Sequence, residues 1–256
     1  MSTAVVDGKV LGGGVLGVEV AEGLRAILRE PTALFFTVLF PVGMFALFAS
    51  LFGNRPGPAG IPYAATMVAT YGTYGVVSVM LTNPGIRTAE DRTTGWLRVK
   101  KVSGAPVGAT VAAKVISALP YAVLVVLALA AVSLAVVGPV LGIGTALRLT
   151  AVLLLGSLPF ALLSLAIGFV ASPNATAAIL SAVLFPMVIA SGLWFPPEML
   201  PPFVDGIAPV LPTYQLAQVA LGQLTGADVT GNGLVLLLMT AVAGALAGWA
   251  YRNLRV

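Results

Sequence analysis

Six long apolar runs constrain this chain more than any other feature. They span residues 32–52, 61–82, 111–137, 149–171, 175–195 and 234–251. Each is near the roughly 20 residues a helix needs to cross the hydrocarbon of a bilayer. With 59% of its residues hydrophobic and 9% charged, the chain has more apolar surface than one soluble core could bury. The expected fold is an all-α integral membrane protein with six transmembrane helices, forming a single domain over residues 1–256. Pro41, Pro120, Pro159 and Pro186 fall inside runs, where neighbouring helices can satisfy the freed carbonyls.

The basic residues set the expected orientation. With the N-terminus in the cytoplasm, eleven of the thirteen Lys and Arg fall on that side, and only Arg55 and Arg148 fall outside. Both termini are therefore expected in the cytoplasm of a multi-pass protein. In residues 18–31, Val20, Leu24, Ile27 and Leu28 recur at helical spacing, with Glu19, Glu22, Arg25 and Arg29 largely elsewhere on the wheel. This reads as an amphipathic helix on the cytoplasmic membrane face; the alternative is an extension of the first span. Residues 196–233 hold six prolines yet stay apolar, which predicts short proline-started helices that re-enter the membrane or lie on its outer face. Covered irregular backbone at that depth suits an outer gate.

Several function classes are excluded or disfavoured. The chain has no Cys and no His, hence no thiol nucleophile and no imidazole base or metal ligand. No phosphate-binding loop of the G-x-x-x-x-G-K-[ST] type occurs. No Asp or Glu lies inside a run, which disfavours a carrier with its own proton relay. Scattered cations on an apolar chain make no nucleic-acid patch. The intramembrane serines, Ser164 among them, read as small residues easing helix packing, and Gly244 and Gly248 form a G-x-x-x-G pair suited to a close crossing. Asn83-Pro84-Gly85 reads as the stop of the second helix.

What remains is a kinked bundle without an engine, and one loop where charge concentrates. Seven charged residues crowd between Arg87 and Lys101. This segment is helix-compatible as far as Gly104. Lying flat on the cytosolic surface, it would present Trp96 and Leu97 with charge to a partner. A basic membrane anchor is the alternative.

At this point the chain resembles membrane permeases of type-2 ATP-binding-cassette (ABC) exporters, in the daunorubicin/multidrug-type branch. Their loop between the second and third spans has the order found here: Glu90-Asp91-Arg92, Gly95-Trp96-Leu97-Arg98, Pro106, then Ala112-Ala113-Lys114. A second match lies between the fifth and sixth spans: Ser191-Gly192-Leu193, Phe195-Pro196, Leu200-Pro201 and Leu211-Pro212-Thr213-Tyr214. Ala105-Pro106 departs from the family's usual Thr-Pro, which bears on partner choice.

The resemblance implies a permease subunit working as a pair, homodimeric or with a sister permease, in a bacterial cytoplasmic membrane. It would bind no cofactor itself; ATP and Mg would be used by cytosolic ABC ATPase subunits. The coupling loop, residues 87–106, would dock into the ATPase through Glu90, Asp91, Arg92, Gly95, Trp96, Leu97 and Arg98. Pro196, Pro197, Leu200, Pro201, Pro212 and Tyr214 would form the outer gate. Thr66, Thr70, Thr73 and Tyr74 of the second span, with Ser181 and Met187 of the fifth, are the expected pathway lining. The expected cargo is an amphipathic small molecule or lipid-like substrate. The competing reading is a self-contained carrier or channel.

Overall fold

The computed structural model describes residues 38–57, 60–97, 107–195 and 200–253, all in helices and their connections. In chain order the helices are α1 (Phe40–Phe52), α2 (Tyr63–Thr93), α3 (Val107–Val136), α4 (Ile143–Gly156), α5 (Leu158–Gly168), α6 (Pro173–Ala190), α7 (Phe203–Ile207), α8 (Pro212–Thr225) and α9 (Thr230–Arg252). A 3-10 turn, Ala208–Val210, joins α7 to α8. Among the described residues five stretches are long and apolar enough to cross a membrane: α2, α3, α4 with α5, α6 and α9. α1 is a shorter apolar helix, and the start of the predicted first span lies outside the described residues. So does the predicted surface helix over 18–31.

Proline divides and opens these helices. Pro159 sits at the N-terminus of α5, and the predicted fourth span is two helices parted at Ser157, whose hydroxyl donates to Leu154 O at 2.7 Å. Pro120 and Pro186 lie within α3 and α6. Pro173 and Pro212 begin α6 and α8, where the missing N–H would have had no helical partner anyway. α8 ends at Gly226, whose φ of +72° closes the helix in a left-handed turn.

The reading of Asn83-Pro84-Gly85 as a stop is overturned. α2 runs through it for 31 residues and ends at Thr93, so the charged segment starts as the end of the span rather than as a separate surface helix. Pro84 deprives the Met80 carbonyl of its helical donor. The crossing helix supports the chain at the next residue: Gly85 N–H donates to Ser164 Oγ of α5 at 2.7 Å. At about 1.5 Å per residue α2 is about 46 Å long, against about 30 Å of hydrocarbon, so it outreaches the membrane.

α2 is also the hub. It packs on α1, α3, α4, α5, α6 and α8, and every residue from Tyr71 to Leu81 is buried. Lipid is as apolar as the helices, so close packing and hydrogen bonds hold them together. The tightest crossing joins α2 and α5. A Cβ added to Gly168 would run into the backbone of Gly85, and one added to Gly85 would strike Ser164. The G-x-x-x-G pair of α9 makes no such crossing: Gly248 has nothing within 4 Å of an added Cβ, and Gly244 meets only Leu162 at 3.7 Å.

Candidate functional site

The charged end of α2 is held from two sides. Lys114 Nζ of α3 lies 2.5 Å from Asp91 Oδ2, with both side chains largely shielded. Arg87 Nη2 donates to Tyr121 Oη, also of α3, at 3.3 Å. Arg92 Nη1 donates to Phe169 O at the C-terminal cap of α5, at 3.2 Å. A cation is favourable at that carbonyl end. Glu90 is exposed, and its carbonyl accepts from the Thr93 and Thr94 hydroxyls at 2.9 and 3.1 Å.

The chain then turns at Gly95, whose φ of +80° few other residues adopt. The turn separates the two apolar residues that follow. Leu97 is fully buried and anchors the segment; Trp96 is 53% exposed. A large exposed ring thus follows a helix end pinned to α3 and α5. Arg98 lies outside the described residues, as do Lys100, Lys101 and Pro106.

At the opposite end, α8 is tied to the end of α6. The Thr213 hydroxyl lies 2.5 Å from that of Ser191 and donates to Met187 O at 3.3 Å. Gln215 Nε2 donates to Pro209 O, and Asn232 Nδ2 of α9 donates to Gln215 Oε1 at 2.6 Å. Tyr214, Pro212 and Leu200 are half-buried and Pro201 is exposed; Pro196 and Pro197 lie outside the described residues. Asp228 caps α9, accepting from Thr230 N at 2.9 Å and Thr230 Oγ1 at 2.6 Å. These bonds hold its carboxyl below the ordinary carboxylate value.

The expected pathway residues do not form one exposed face. Thr73 and Tyr74 are buried within the chain, while Thr66, Thr70, Ser181 and Met187 are half-buried. Thr73 and Thr70 donate to their own helix, at Ala69 O (2.8 Å) and Met67 O (3.3 Å). The Tyr74 ring meets Trp194 edge-on at 5.1 Å between centroids, and Phe40 and Phe185 approach the same indole at 6.0 Å each.

Three functional contacts escaped sequence reasoning: Gly85 with Ser164 and Gly168, Asp91 with Lys114, and Arg92 with the α5 cap. The first had a signal, since Ser164 and Gly168 are a small-x-x-x-small pair like the glycines of α9. The other two join residues 23 and 77 apart, and no local pattern encodes them.

A family model described as "ABC-2 type transporter" matches residues 16–224, which take in the charged end of α2 and α8 as far as Leu224. A Bacillus subtilis (strain 168) protein named "Putative transport permease YvfS" is 21% identical over 218 residues, covering 84% of this chain and 87% of that protein.

Proposed function

This chain belongs to the ABC-2 type transporter family as a membrane permease, and from that premise we propose an ATP-driven exporter whose engine docks at the charged end of α2. The family's membrane domain lacks a nucleotide-binding site, so ATP and Mg belong to a separate cytosolic ATPase. The carrying observation is the exposed Trp96 ring, with Glu90 also exposed, on a helix end pinned to α3 by Asp91–Lys114 and to α5 by Arg92. A partner gripping Trp96 moves α2, α3 and α5 together, and nucleotide-driven closure of two ATPases shifts a pair of permeases between inward- and outward-open states.

In this reading both termini lie in the cytoplasm of a bacterial cell, residues 18–31 lie on the inner membrane face, and a second permease completes the pathway. Residues 196–233 close its outer end. The re-entrant form of that segment is supported by Leu216 of α8, which packs on Gly156 at the far end of α4, about 20 Å below the start of that helix. Thr66, Thr70, Ser181 and Met187 are the proposed pathway groups, with Thr73 and Tyr74 behind them. The cargo is an amphipathic molecule of the multidrug-branch type, which suits a pathway without ionisable groups.

The test is purification of the tagged chain in mild detergent with identification of its partners, followed by transport in vesicles. A stoichiometric ATPase should co-purify. Trp96→Ala and Glu90→Ala should leave insertion unchanged and cut ATP-driven flux at least about tenfold, as loss of an interface anchor does. Transport by the purified chain without an ATPase would instead establish a self-contained carrier.

A further inference from the structure

Between α2, α3 and α4, at the end away from Trp96, lies an apolar cavity of about 270 Å³. It exists because small residues stand where bulk would fill it, chiefly Gly72, Ala130 and Ala146. Among the described residues no charged side chain lines it, and of its two hydroxyls, Ser133 and Thr150, the latter is spent on Ala146 O at 2.8 Å. Water needs two to four polar partners to settle in such a space, and an apolar cavity of about 150 Å³ already takes up benzene. The cavity therefore favours hydrocarbon. It opens sideways: Leu134 and Leu147, on its α3 and α4 walls, are 61% and 66% exposed on the surface that lipid would cover.

The two cations outside the cytoplasmic segments both flank it. Arg148 stands exposed between Leu147 and Leu149, which line the cavity. Arg55 lines a more polar recess with Asn54, and this recess shares Val140 with the cavity as a common wall. We propose that this is a binding site for an anionic phospholipid of the adjoining leaflet, one acyl chain lying in the cavity and the phosphate drawn to Arg55 and Arg148. Two cations beside an apolar cavity complement an anionic headgroup on an acyl chain, which argues for lipid. The inference rests on the helices crossing a bilayer and not on the exporter reading.

The experiment is native mass spectrometry of the full chain in mild detergent, with added phosphatidylglycerol or phosphatidylcholine of identical acyl chains. The wild type should retain phosphatidylglycerol over phosphatidylcholine by about fivefold or more, the gain expected from one or two cations at a membrane surface. Ala130→Phe and Ala146→Phe, made separately on two walls, should lower retention of both lipids at least about threefold. Arg55→Gln with Arg148→Gln should abolish the headgroup preference while leaving the cavity walls in place; it removes only the Arg55 stack over the Phe52 ring at 4.7 Å and the Arg148 bond to Thr145 Oγ1 at 3.2 Å. Equal retention of the two lipids by the wild type overturns the proposal, as does wild-type retention in both filled variants. Should the filled variants fail to fold, an unchanged preference in the arginine double variant overturns it alone. Filled variants that lose substrate flux while keeping their lipid would assign the cavity to the transported molecule instead.

Discussion

α2 and α9 both run the length of the bundle, yet they use the membrane in opposite ways. In the most apolar stretch of α2, 83% of residues are buried, against 22% in α9. α9 is the more apolar of the two and turns Leu234, Leu237, Leu238, Val242, Leu246 and Trp249 outward. α2 carries threonines, tyrosines, glycines and a proline, and is enclosed. In water the most hydrophobic helix would be the innermost. In lipid, outward leucines lose nothing, and the centre goes to the helix whose small and polar groups need protein around them.

Glycine substitution separates the two helices most sharply. Gly168→Leu, at the α2–α5 crossing, should abolish recovery of monodisperse protein, because backbone stands where the side chain would go. Overpacking costs about 1–3 kcal/mol even where side chains can yield, and here they cannot. Gly248→Leu on α9 should purify and melt like the wild type. Equal losses from both would mean that the Gly248 face of α9 is packed against something besides lipid.

The charge clamp comes next. Asp91→Ala leaves Lys114 shielded and unpaired, and should destabilise by about 1–3 kcal/mol, between the exposed and buried limits for a broken pair. Lys114→Ala should cost about as much, and the double variant little more than either. Additive losses in thermal melts would show that the two residues act independently.

Ser164→Ala tests the support beside Pro84. It strands the Gly85 N–H in a buried site and should cost about 1–3 kcal/mol, at the lower end if a local water intrudes. Faster amide exchange should be confined to the turn around Gly85. A uniform increase along α2 would mean that the hydroxyl supports the whole helix.

The smallest effect belongs to α9. Its Asp228 cap has a lowered pKa, so its contribution is fully present above the unfolded carboxylate value, about 3.9, and is lost as pH falls through the lower folded value. Amide exchange at Thr230, corrected for its intrinsic pH dependence, should be steady from neutral pH to that point and rise only below it. A rise beginning well above it would remove the cap from the account.

The contrast also explains what could be read from the chain. Spans of ordinary hydropathy declared themselves, since leucine-rich stretches such as 234–251 admit few alternatives. Proline-opened helices after Pro202 and Pro212 were legible because proline suits a first turn and little else. The course of α2 was not. Pro84-Gly85 ends a helix in isolation, and the support at Gly85 comes from Ser164, 79 residues away. The G-x-x-x-G of α9 shows the reverse error: the motif is present, but among the described residues no partner helix closes on it. Likewise Trp96 and Leu97 are neighbours of one chemical type, and the turn at Gly95 decides which is anchor and which is presented.

The crossing of Gly85 on Gly168 also divides α2 unequally. From Gly85 the helix runs 8 residues to Thr93 but 22 back to Tyr63, arms of about 12 and 33 Å. Measured from that level, the two arms of α2 stand at roughly three to one. In the exporter proposed above, a tilt of α2 together with the α3 and α5 it is pinned to turns about 1 Å at the charged end into about 3 Å at the far tip, close to the width of a water molecule.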